Sequence, residues 1–228
     1  MNRVRLVTAA VSGGPWHFKV TTTLAGSDCD CDVDNSLSLL GCKCSLTAKA
    51  GLNAELCPST FEEDLNVADF KEFSDYIEAT ASGKAEEVFQ RLSSAGDVEN
   101  LVVIAADTMV TLANEIYGKP RDAADALRML TNLSGVSNRV FTGVVLKHAK
   151  GVRQFTETAD VYFGELTAAQ IQSYIDSGDP LDKAGAYGIQ GPGGALISRI
   201  DGDFYCVMGL PLHRLCCELN KLFLEDLK

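Results

Sequence analysis

The chain has 228 residues and a formal net charge of −11, with 46% hydrophobic and 22% charged residues. That is enough for one large domain or two small lobes around a buried core. The acidity excludes a general nucleic-acid binder, which needs a basic face, although a small anionic ligand needs only a local cluster of Lys and Arg.

No apolar run approaches the length that spans a bilayer. Gly13-Gly14-Pro15 interrupts the first residues before a signal core forms, so a cytoplasmic protein with no membrane and no nucleic-acid partner is expected. Residues 1–45 are rich in Gly, Ser, Thr, Asp and Cys, and only Phe18 to Leu24 alternates as a strand does. Cys29, Cys31, Cys42 and Cys44 form two pairs with one-residue gaps. Zinc sites use wider gaps, so unligated thiols are expected ahead of a metal knuckle or a disulfide arm.

Further along, Phe70 to Leu92 carries a helical apolar face, with Gly83 positioned to divide it in two. Leu101 to Ala106 is a short apolar run ending at Asp107, the pattern of a buried strand with a carboxylate at its tip. Asp122 through Leu133 reads as a helix, and Arg139 to Lys147 with Gln154 to Phe163 reads as a hairpin. Thr167 is an N-cap for Ala168 to Ser177, with Gly178 and Pro180 as stop signals. Ala195 to Ile200 is a strand, and Leu212 to Leu227 an amphipathic helix. Cys206, Cys216 and Cys217 sit in apolar surroundings and read as core. Intermixed helices and strands with a hairpin make the class α/β with a mixed sheet.

Three segments carry chemistry. Asp182-Lys183-Ala184-Gly185-Ala186-Tyr187-Gly188-Ile189-Gln190-Gly191 compresses an acid, a base, an amide and three glycines into one loop, a pattern suited to a polar ligand. Asp107 follows a buried strand and serves either as a turn cap or as a metal ligand or general base. Lys119, in Gly118-Lys119-Pro120, and Lys84, in Gly83-Lys84-Ala85, each read on position alone as solvated lysines. The pair Glu62-Glu63 reads on position alone as surface carboxylates.

In this order, Ala106-Asp107-Thr108, Gly118-Lys119-Pro120-Arg121-Asp122 and the segment from Asp182 to Gly191 resemble the Maf family of nucleoside triphosphate pyrophosphatases. The resemblance covers 46–228 as a Maf-like domain, with 1–45 set apart as an atypical segment. It implies an elongated, two-lobed, inosine triphosphatase-like α/β fold, a mixed sheet with flanking helices around a central cleft. It also implies a divalent metal, magnesium, and a homodimer.

By the same resemblance Asp107 is the proton acceptor and Lys84, Lys119 and Lys183 hold phosphates. Asp107, Asp182 and Glu63 are the metal candidates. Thr108 and Gln190 choose the base, in the pattern of the subgroup acting on thymidine and uridine triphosphates. Family members open with a strand leading into Ser-x-Ser-Pro-Arg-Arg. Counting back without gaps from Gly51 places Ser38 and Lys43 where that motif belongs, keeping only part of its chemistry. The missing opening strand is expected to leave a neighbour unpaired. A binding protein that kept the nucleotide site but lost turnover is the alternative.

Overall fold

The computed structural model describes residues 21–26, 52–94, 98, 101–222 and 224. Ser38, Lys43 and the cysteines at 29, 31, 42 and 44 therefore lie outside the described residues, as does Gly51. Among the described residues no helix is long and apolar enough to cross a membrane.

The elements in chain order are β1 (Thr21–Gly26), β2 (Asn53–Pro58), α1 (Phe73–Ser93), β3 (Val102–Leu112), β4 (Glu115–Tyr117), α2 (Ala123–Leu133), β5 (Ser137–His148), β6 (Gly151–Phe163), α3 (Ala168–Asp176), β7 (Ile197–Gly202), α4 (Phe204–Val207) and α5 (Leu212–Lys221). Seven strands form one mixed sheet in the order β2-β1-β3-β5-β6-β7, with β4 also paired to β3. β1 runs parallel to both β2 and β3, while β7 runs antiparallel to β6 with an irregularity at Tyr162/Phe163. The expected gap in the sheet is not found, because Thr21–Gly26 fills the place between β2 and β3.

The chain divides into two compact units. One comprises residues up to Asp107 with Gly143–Thr156 and Leu212–Lys228, and the other comprises Thr108–Thr142 with Glu157–Pro211. In the first, α1 presents Ala81, Ala85 and Val88 at helical spacing to Leu101, Val103 and Ala105 on alternate positions of the chain. The second has a larger core, in which Ala126, Met129, Leu130 and Leu133 of α2 pack with Ile171, Tyr174 and Ile175 of α3 and with Val161 and Phe163 of β6.

Most of the expected elements appear within a few residues of their sequence bounds. Thr167 caps α3 in a capping box: its side chain accepts from Gln170 N–H, and Gln170 Oε1 accepts from Thr167 N–H at 2.8 Å. Two expectations need correction. Gly83 does not divide α1, which runs unbroken from Phe73 to Ser93. The glycine is there because the Phe61 ring lies on the helix, and a Cβ at 83 would fall 2.3 Å from that ring. Asp107 is not at a strand tip, because β3 continues to Leu112 with Met109, Val110 and Thr111 buried. Asp107 and Thr108 thus form a polar step in the middle of a strand. Of the C-terminal cysteines only Cys206 is fully buried; Cys216 and Cys217 are half-buried.

Two tests follow. In a helix interior, Gly to Ala gains about 1 kcal/mol, but at 83 the methyl must displace Phe61. Gly83→Ala should therefore stabilise by about that amount only in a Phe61→Ala background, as read from urea unfolding of the four variants. The second concerns Glu87, whose carboxylate accepts from Arg91, from Thr60 N–H and from the Ser59 hydroxyl. Burial alone would raise its pKa, but those donors outweigh burial and pull it from 4.5 to about 2. The folded value is the depressed one, so this stability is complete above the unfolded pKa and is lost as pH falls through the folded one. Between pH 6 and pH 3 the native chain should lose about 2 kcal/mol more unfolding free energy than Glu87→Gln.

Candidate active site

Within the first unit, α1 turns the side chain of Lys84 inward on the same face as Ile77, Thr80, Ala81 and Val88, and its exposure is only 2%. A solvated helix face is thereby ruled out for it. An isolated buried ammonium would be costly, so it must be paired. Lys84 Nζ donates to Asp107 Oδ1 at 2.7 Å and lies 2.9 Å from Glu63 Oε1. Burial alone would lower the Lys84 pKa, but the Asp107 and Glu63 carboxylates outweigh it and hold the group above its ordinary value. The lysine is charged at any working pH.

Helix, strand and loop thus bring three expected site residues together. The two carboxylates, 35% and 20% exposed, converge on a single cation. Their hard oxygen donors fit a magnesium ion that keeps waters and takes substrate oxygens, since magnesium needs only one or two protein carboxylates. Among the described residues no group of three or more His, Cys, Asp or Glu side chains could form a closed metal cage.

Thr108, next along β3, points to the other face of the strand, as successive strand residues do. Its hydroxyl lies 3.0 Å from that of Thr142, and Thr142 donates to Cys206 O at 2.8 Å. Thr142 has one proton, and the carbonyl takes it, so Thr108 must be the donor between the two hydroxyls. What Thr108 offers a ligand is therefore acceptor lone pairs.

The second unit also holds the glycine-rich loop. Lys119 is exposed, and among the described residues its side chain has no hydrogen bond or ion pair. Its loop is tied to the glycine-rich segment by Gly185 N–H donating to Gly118 O at 3.1 Å. Lys183 is partnered by Asp182 Oδ1 at 2.7 Å and by Asp179 Oδ1 at 3.1 Å. Burial would lower its pKa, but the hydrogen bonds and charges of Asp182 and Asp179 raise it overall. Asp182, expected as a metal candidate, is thus engaged with a lysine. Gln190 is exposed, with Nε2 3.5 Å from Met208 Sδ.

Sequence reading missed Tyr174, Asp179 and Thr142. Tyr174 Oη donates to Asp179 Oδ2 at 2.5 Å and accepts from Gly188 N–H at 2.9 Å. The available signal was Asp179 four residues before Lys183, between the Gly178 and Pro180 that read as helix stops. Thr142 lay inside an alternating strand and carried no signal of its own.

The Maf-like protein family model matches residues 44–222. The chain is 42% identical over 195 residues to a Homo sapiens protein named probable bifunctional dTTP/UTP pyrophosphatase/methyltransferase protein, covering 80% of this chain but only 31% of that one. It is 42% identical over 176 residues to the dTTP/UTP pyrophosphatase of Hahella chejuensis, covering 77% of this chain and 84% of the relative. With the dTTP/UTP pyrophosphatase of Clostridium perfringens it shares 43% identity over 164 residues, 71% and 82% of the two chains. The span of the family match and the level of identity agree with the order of the three polar segments, and the chain belongs to the family of Maf-like proteins.

Proposed function

We propose that this chain hydrolyses the bond between the α and β phosphates of uridine and thymidine triphosphates, giving the nucleoside monophosphate and pyrophosphate. The observation that carries the reading is the buried Lys84 ammonium held between Glu63 and Asp107, in a chain over 40% identical to dTTP/UTP pyrophosphatases.

Phosphoryl transfer depends mainly on positioning and electrostatics. Lys84 occupies Asp107 Oδ1, which leaves Oδ2 to take a proton as the water oxygen bonds to phosphorus and the bridging P–O bond breaks. The Lys84 pairing keeps Asp107 oriented for that transfer. Lys84, Lys119 and Lys183 are assigned to phosphate oxygens. Glu63 and Asp107 would hold magnesium, which when bound draws charge from the phosphates.

The base falls to Gln190, which has both donor and acceptor, and to Thr108. The proton of Thr108 is committed to Thr142, so it suits an imide N–H such as that of uracil or thymine. The acidity of the chain supports a small-molecule substrate over nucleic acid. A cytoplasmic homodimer accompanies this reading.

The test is consumption of UTP, dTTP, CTP, ATP and GTP with magnesium, measured chromatographically on the wild-type chain and on Asp107→Asn and Lys84→Met proteins that keep the native circular dichroism spectrum. UTP and dTTP should be consumed fastest, with CTP at least about 10-fold slower because its N3 is an acceptor. Each variant should lower kcat by about 100-fold or more. Equal rates on all five nucleotides, or full activity in Asp107→Asn, would contradict the reading.

A further inference from the structure

Lys183 is held in a way that separates two neighbouring acids by role. An ammonium has three protons; this one donates to Asp182 Oδ1 at 2.7 Å and to the Asp179 backbone oxygen at 2.9 Å, and it is ion-paired with Asp179 Oδ1 at 3.1 Å. A phosphate oxygen that approaches this ammonium must compete with these acceptors for it.

The two acids are not equivalent. Asp182 is 54% exposed, and Lys183 is its sole partner among the described residues. Asp179 is 11% exposed and fixed from behind, its Oδ2 accepting from Tyr174 Oη. Tyr174 is in turn fixed by Gly188 N–H. The Lys183 stem is pinned as well, because a Cβ on Gly188 would lie 2.6 Å from Lys183 Cδ and Cε. An exposed ion pair contributes little once solvent competes for it, whereas a largely buried carboxylate held from behind by a tyrosine hydroxyl is more costly to unmake.

We propose that Asp179, braced by Tyr174, is the positioning residue that aims Lys183 at a substrate phosphate, and that Asp182 is the partner which the phosphate displaces. This rests on the assignment of Lys183 to phosphate made above. Released from Lys183, the Asp182 carboxylate becomes available to water or metal, the role that sequence alone suggested for it.

Removing either carboxylate takes a negative charge away from an anion site and by Coulomb's law strengthens anion binding. Positioning predicts opposite signs for the two. In calorimetric titration of UTP into the full chain with metal chelated, Asp179→Asn should weaken binding about 10-fold, and Tyr174→Phe, which removes only a hydroxyl, should weaken it in the same direction. Asp182→Asn should bind as tightly as wild type or tighter. In a Lys183→Met background Asp179→Asn should have no further effect.

Weakening by Asp182→Asn equal to that by Asp179→Asn would overturn the inference. So would an Asp179→Asn or Tyr174→Phe loss that persists in Lys183→Met, or a wild-type chain that hydrolyses UTP while both variants bind it normally. A wild-type chain that neither binds nor hydrolyses UTP overturns the proposed function, and this inference with it.

Discussion

The molecule depends on one buried charge. Lys84 lies on the inward face of α1, packed in register with alanines and a valine, and a cation there is tolerable only because Glu63 and Asp107 meet it. Removing one partner of a buried pair costs about 3–5 kcal/mol, while a well-packed apolar replacement of the whole group is often neutral or better. Such a cluster is therefore a poor way to gain stability and a good way to hold a carboxylate and an ammonium in fixed relation. It also explains why β3 carries a polar step at Asp107 and Thr108 in the middle of an otherwise buried strand.

The glycine-rich loop solves the same problem differently. Here the lysine is partly exposed, and its orientation comes from a chain of hydrogen bonds through Asp179 and Tyr174 to the backbone at Gly188. The glycine at 188 leaves space for the lysine stem. One site uses burial to fix a charge, and the other uses a network anchored in a helix and a tight loop.

Much of the fold was legible in the sequence. Helical and strand periodicities located α1, α2, α3 and the β5–β6 hairpin, because each buries one face and leaves the other in water. The errors arose where a tertiary contact overrode a local signal. Gly83 reads as a breaker, yet it accommodates Phe61 from a loop more than twenty residues earlier. Asp107 reads as a terminus, since nothing local reveals that the strand resumes beyond the polar pair at 107 and 108. Among the candidate residues, the ones that sequence reading singled out lie inside ordered motifs, namely Asp107, Lys119 and Lys183. Those acting through a partner, Asp179, Tyr174 and Thr142, became visible only once the hydrogen bonds were laid out, because no spacing rule connects them.

A cut between the first two phosphates of a nucleoside triphosphate, as proposed, fixes which products must appear. Phosphorus NMR of UTP incubated with the protein and magnesium tests it most directly. Resonances of UMP and pyrophosphate should grow together in equal amounts, with no UDP. Accumulation of UDP and orthophosphate, or an unchanged UTP spectrum from folded protein, would contradict it.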